Sequence, residues 1–126
     1  MLTVDDVRRL CLALPEVTEQ PYHHVAMFLV RGRHFANTRS LWISNSVDTD
    51  VDQPIAVMRL DREDQLALTE AHPDLLLPHR YFARYGWAVL LLEQADEALL
   101  GLLLRLAWAR AAPRRLLKSQ PGNGGD

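Results

Sequence analysis

Thirteen arginines and one lysine, Lys118, supply the fixed positive charge of this 126-residue chain, and nine of them gather in three places. One group, Arg31, Arg33, His34 and Arg39, surrounds a short Arg-Gly-Arg turn signal. A second, His79, Arg80, Tyr81, Arg84 and Tyr85, interleaves basic and aromatic side chains. The third, Arg110, Arg114, Arg115 and Lys118, lies in a stretch with no carboxylate between Glu97 and Asp126. A guanidinium is a planar fork that matches the oxygens of a phosphate or carboxylate. An arginine-tipped hairpin can grip a nucleic-acid backbone, and arginines among aromatic rings suit stacked single-stranded bases. The competing reading is plain solvation, since charged turns and tails also face water.

Other chemistry finds less support. Asp48, Asp50 and Asp52 open with the spacing of a calcium loop, but the sixth position is Gln53 and the twelfth is Arg59. A glycine and a bidentate glutamate belong there. The five histidines include no ExxH or HxxxH pair, and adjacent His23 and His24 would point to opposite faces of a strand. Zinc needs three or four convergent ligands. No Gly-x-Ser-x-Gly elbow or phosphate-cradling glycine loop is present. The expectation is a non-enzymatic protein with no metal and no cofactor. Cys11, the single cysteine, falls on an apolar helical face and reads as a packed thiol.

The elements that must position these residues follow from periodicity. Thr3 and Asp6 have the spacing of a capping box, with Leu2 and Val7 at the staple positions. Val7, Leu10, Cys11 and Leu14 then form one face of a helix that Pro15 ends. Val25–Val30 reads as a buried strand, turning through Arg31-Gly32-Arg33 into His34–Thr38. Leu41–Ser46 is a third expected strand, 47–53 an acidic loop, and Pro54–Leu60 a fourth strand. Asp61 is placed to cap a helix reaching Ala71, which His72-Pro73 stops. Residues 75–77 and 81–82 look irregular or weakly extended, and Trp87–Leu92 is a strand. A final helix from an Asp96 cap to Ala111 has leucines on more than one face, so it must be covered by layers or by a partner. Trp42, Trp87 and Trp108 are assigned to the core; exposure of Trp42 or Trp87 on the sheet's open face would instead mark a ligand pocket.

Helices at both ends of consecutive strands predict an α+β fold: a two-layer sandwich, its antiparallel sheet packed by N- and C-terminal helices. One domain over 1–117 and a disordered tail over 118–126 account for the chain. Its 48% hydrophobic content supports a real core, and a net charge of −2 opposes polyanion binding by the whole surface while leaving room for a local patch. The N-terminus has no signal-type pattern, and the longest apolar run is far short of the ~20 residues that span a bilayer. A cytoplasmic protein without membrane contact is expected.

Taken in order, several short motifs resemble the MmcQ/YjbR-like family of small bacterial proteins. They are Leu14-Pro15-Glu16-Val17-Thr18, the strand pair around Met27-Phe28 and His34–Ala36, the strand before Asp61 and the His72-Pro73 stop. Gly86-Trp87 ahead of an apolar strand, and Trp108 ahead of Ala112-Pro113-Arg114-Arg115-Leu116, complete the series. The resemblance implies a frataxin-like sandwich and a DNA-binding role. It implies no iron function, because that needs an acidic ridge, and the first helix carries only Asp5 and Asp6 at its N-terminus. The leading expectation is phosphate-backbone contact through Arg31, Arg33, His34, Arg39, Arg110, Arg114, Arg115 and Lys118, by a monomer or weak homodimer. The alternatives are pairing through the leucine-rich last helix or the sheet face, and an anionic small ligand held by His79, Arg80, Tyr81, Arg84 and Tyr85.

Overall fold

A computed structural model describes residues 1–22, 25–39 and 53–118. The expected strand at 41–46, nearly all of the acidic loop, His23, His24, Trp42 and the tail from 119 onward lie outside them. Helix α1 spans Val4–Leu12, and the Asp6 carboxylate accepts from the Thr3 backbone N–H at 2.8 Å and from its hydroxyl at 3.2 Å. Those bonds hold the Asp6 carboxyl below its usual range, first through Thr3 and then through Arg9. Strand β1, Val17–Tyr22, was not legible in the sequence: Thr18, Glu19, Gln20 and Pro21 look like loop. It forms one edge of the sheet, where proline and charge are tolerated and discourage further pairing.

Strands β2 (Val25–Val30) and β3 (Arg33–Arg39) pair antiparallel through a two-residue turn. Arg31 and Gly32 both have positive φ, 51° and 79°, the signature of a type I′ hairpin. The turn is thus Arg31-Gly32 alone, and Arg33 already belongs to β3. Strand β4 (Ile55–Arg59) leads to α2 (Arg62–Ala71), then to a short β5 (Leu76–Pro78), a 3₁₀ turn (Ala83–Tyr85) and β6 (Trp87–Leu91). Helix α3 (Glu97–Ala111) starts where Asp96 Oδ1 accepts from Leu99 N–H at 2.8 Å. A five-residue helix α4 (Arg114–Lys118) follows Pro113, where the sequence suggested only a basic run.

The sheet order is β1-β2-β3-β4-β6-β5, with every neighbouring pair antiparallel. This is the two-layer α+β sandwich. All four helices contribute to one apolar cluster with Phe28, Phe35, Met58 and Leu90 of the sheet. Leu100, Leu103, Leu104, Ala107 and Trp108 of α3 are buried in it, and Leu102 stays exposed. The leucines on several faces of α3 are therefore covered largely from within, between the sheet and α1. Trp108 also ties the end of α1 to α3, its Nε1–H donating to the Pro15 carbonyl at 3.0 Å. The opposite face holds a smaller cluster, Ile55, Val57, Val89 and Leu91 with Leu77 and Trp87, to which no described helix contributes.

A β-bulge in β3 decides what that second face displays. Ala36 pairs with Phe28 but His34 pairs with Leu29, so Phe35 is an extra residue. Past the bulge, His34, Asn37 and Arg39 share the second face, while Arg33, Ala36 and Thr38 face the helices.

Candidate functional site

Two features stand near one end of the sheet: a cluster of guanidiniums, of which Arg33 and Arg110 lie on the helix side and Arg59 on the second face, and an aromatic concavity on that second face. In the cluster, Arg33 comes from β3, Arg59 from the end of β4 and Arg110 from the last turn of α3. Arg33 Nη1 donates to the Ala111 carbonyl at 3.3 Å, which joins the hairpin base to the C-terminal end of α3. Arg59 Nε donates to the Tyr85 carbonyl at 2.9 Å. The basicity of Arg59 is lowered by burial first and then by the positive charges of Arg110 and Arg33. Asp61 is the carboxylate given to the group, 3.4 Å from Arg110 Nε. Asp61 sits at the N-cap position of α2 but makes no capping hydrogen bond there, so its side chain serves Arg110 instead.

The remaining basic residues divide. Arg31 is held by Glu16, Nη2 to Oε2 at 3.0 Å and Nε to Oε1 at 2.5 Å, a bidentate pair that depresses the Glu16 carboxyl. Arg115 lies within electrostatic reach of the same glutamate. Arg114 is exposed on α4, and Lys118 ends that helix. The hairpin and the C-terminal run thus converge in space, but Arg31 at the very tip is committed to an intramolecular partner. Arg59 was missed in the sequence because it was counted within the Pro54–Leu60 strand and as a failed calcium ligand.

The concavity has a volume of about 300 Å³ and lies against β3, β4 and β6. Trp87 and His34 form one side, ring centroids 5.0 Å apart, and Phe82 and His79 form another, 5.1 Å apart. Val57, Asn37 and Arg39 complete the lining. Trp87 thus lies on the sheet face away from the helices, reversing its assignment to the core between the layers.

Hydrogen bonds fix the state of each polar group. His79 Nδ1 accepts from the Tyr81 and Phe82 backbone N–H groups, at 3.1 and 3.2 Å. Its ring proton therefore sits on Nε2, which remains a donor. Burial, then the charge of Arg39, pushes the His79 pKa below the usual value. His34 is likewise shifted down by burial, opposed by a backbone hydrogen bond to Ala36. Its Nε2 lies 3.3 Å from Asn37 Nδ2, so the neutral ring accepts from the amide and turns Asn37 Oδ1 the other way. Asn37 is 8% exposed, and its Oδ1 is buried with no hydrogen-bond partner among the described residues.

Of the expected anion ligands, only His79 lines this concavity; Arg80, Tyr81, Arg84 and Tyr85 stand outside it. Tyr81, Phe82 and Tyr85 are exposed, and Arg80 and Arg84 lie over the Tyr81 and Tyr85 rings at 5.5 and 4.9 Å. The sequence could not find Asn37, which looks like an ordinary polar strand residue. Among the described residues, no three His, Cys, Asp or Glu side chains gather to hold a metal, and no helix is long and apolar enough to cross a membrane.

A two-layer α+β domain, helices on one face and an arginine-flanked aromatic concavity on the other, is the class of protein these features define. The YjbR family model matches residues 12–110, and the chain belongs to that family. Its structure is similar to the crystal structure of Deinococcus radiodurans protein DR2400, a DUF419 domain. The TM-score is 0.71 at 25% sequence identity, covering 100% of this chain and 97% of that one. No curated protein matches.

Proposed function

We propose that the protein is a non-enzymatic nucleic-acid-binding module that holds a sugar–phosphate backbone at Arg33, Arg59 and Arg110. The observation that supports this is that guanidiniums from three separate elements gather near one end of the sheet, where burial and then the charges of Arg110 and Arg33 lower the basicity of Arg59. Such repulsion is a cost to the folded protein, and an anionic ligand relieves it. The overall charge of −2 makes the attraction local, so binding is weak and positions the backbone with little sequence readout. Arg114 and Arg115 extend the same end; Arg31 is paired with Glu16 and Arg110 with Asp61, so a bound phosphate competes with a carboxylate at each.

Counterion release gives the test. Three phosphate contacts produce a slope of log K against log salt of about −2 for a single strand and about −2.7 for a duplex. The double variant Arg33→Gln/Arg110→Gln should reduce the single-strand slope by about 1.4. Fluorescence anisotropy with labelled oligonucleotides across a salt series reads both. No binding at low salt, or a double variant with an unchanged slope, overturns the proposal.

A further inference from the structure

We infer that the concavity beside the arginine cluster receives one unstacked nucleobase, so that the site takes a nucleotide from a single strand in preference to a duplex. This rests on the nucleic-acid reading above and deepens it.

The shape argument comes first. A space of about 300 Å³ walled by Trp87, His34, His79 and Phe82 suits one flat heteroaromatic ring and lies at the small end of ligand pockets. The polar groups narrow the choice. Asn37 Oδ1 is a buried acceptor with no donor among the described residues, on an amide whose other end is held by His34. An unpaired buried acceptor is costly, and a ligand's donor satisfies it once the Asn37 amide turns toward the concavity that this residue lines. His79, with both backbone bonds on Nδ1, offers Nε2–H as its ring donor. A donor and an acceptor side by side on the edge of a flat ring are what a nucleobase presents when its pairing edge is free.

Position connects this pocket to the backbone site. Trp87 pairs directly with Arg59 across β6 and β4, and the two side chains share the second face. A base stacked against Trp87 therefore sits beside Arg59, the member of the guanidinium cluster that shares this face. The exposed rings of Phe82 and Tyr81, 6.4 Å apart, continue from the pocket wall and give a neighbouring base a surface to stack on. A base inside a duplex cannot enter, because its edge is paired and its faces are stacked.

The experiment compares a labelled single strand, the same sequence as a duplex, and free nucleoside monophosphates. It uses the wild-type protein, Phe82→Ala and Asn37→Leu. Phe82 is half exposed, so its truncation spares the core; Asn37→Leu removes the orphan acceptor with little change in size. The expected result is at least tenfold preference for the single strand, lost by roughly 5- to 100-fold in each variant, with the salt slope unchanged. Salt-dependent binding that is equal for strand and duplex and untouched by both variants overturns the base pocket and leaves the backbone proposal standing. Absence of oligonucleotide binding, with nucleoside monophosphates shifting the NMR signals of His34 and His79, overturns the backbone proposal and keeps the base pocket. If no nucleotide in any form shifts those signals, both fall.

Discussion

Replacing Gly86 by alanine should be among the most damaging single-methyl additions in this protein. Gly86 ends the 3₁₀ turn at φ 97°, immediately before Trp87. A Cβ there would lie 1.9 Å from the Leu60 carbonyl oxygen and 3.0 Å from its carbonyl carbon. Both are backbone atoms, so no side-chain rotation relieves the clash. Gly32 is the internal control, because its φ of 79° is also left-handed but its Cβ would meet nothing within 4 Å. Gly32→Ala should therefore cost only the conformational strain, about 1 kcal/mol. Gly86→Ala adds the displacement of Leu60, which is fully buried and donates its N–H to the Gly86 carbonyl at 2.9 Å. Losing that bond costs about 1 kcal/mol, and forcing the core apart about 1–3 more. The total is about 3–5 kcal/mol, a large share of the roughly 5–15 kcal/mol that stabilises a domain. Urea denaturation followed by circular dichroism measures both variants on one scale. Equal losses in the two, within about 0.5 kcal/mol, would show that the close approach to Leu60 does not govern this turn.

Two further predictions concern titratable groups. His34 and His79 should both titrate below the ordinary 6.5 in an NMR pH series, with His79 also losing the Nδ1 bonds from Tyr81 and Phe82. As pH falls through the unfolded value, the unfolded chain takes up these protons first. Stability therefore drops over that window and levels off once the folded pKa values are passed. A midpoint in urea that is flat from pH 7.5 to 5.5 would contradict this. The Cys11 thiol is fully buried, and burial and then Glu19 push its pKa up. It should react with a thiol reagent only as fast as the chain opens, so full labelling within seconds in native buffer would show the site to be accessible.

Much of the scaffold was legible because it rests on local rules. The α1 cap at Thr3 and Asp6, the Arg31-Gly32 turn and the Asp96 cap are each set by a few adjacent residues, and α1 ends at Leu12, two residues earlier than the Leu14-Pro15 stop suggested. Trp87–Leu91 was readable from its continuous apolar run. What failed were decisions made by tertiary context. Strand β1 is polar because it is an edge, and only pairing with β2 reveals it. The capping role assigned to Asp61 was diverted by Arg110, an ionic partner 49 positions away in sequence by subtraction of their numbers.

The site was illegible for a more specific reason, and it lies in β3. A regular strand places residues of opposite parity on opposite faces, so His34 cannot join Asn37 and Arg39. The extra residue at Phe35 breaks that rule. Phe35 and Ala36 both enter the core, and the alternation is shifted so that His34 emerges beside Asn37. Without the bulge, His34 would face the helices, the Asn37 amide would lose its orienting acceptor, and the ring opposite Trp87 would be missing. In sequence, His34 groups with the arginine hairpin and His79 with a separate aromatic cluster. The bulge on one side and the β6 pairing on the other bring both rings to a single concavity, with Arg59 at its border. A functional reading of this family member therefore turns on the register of β3 more than on its number of arginines.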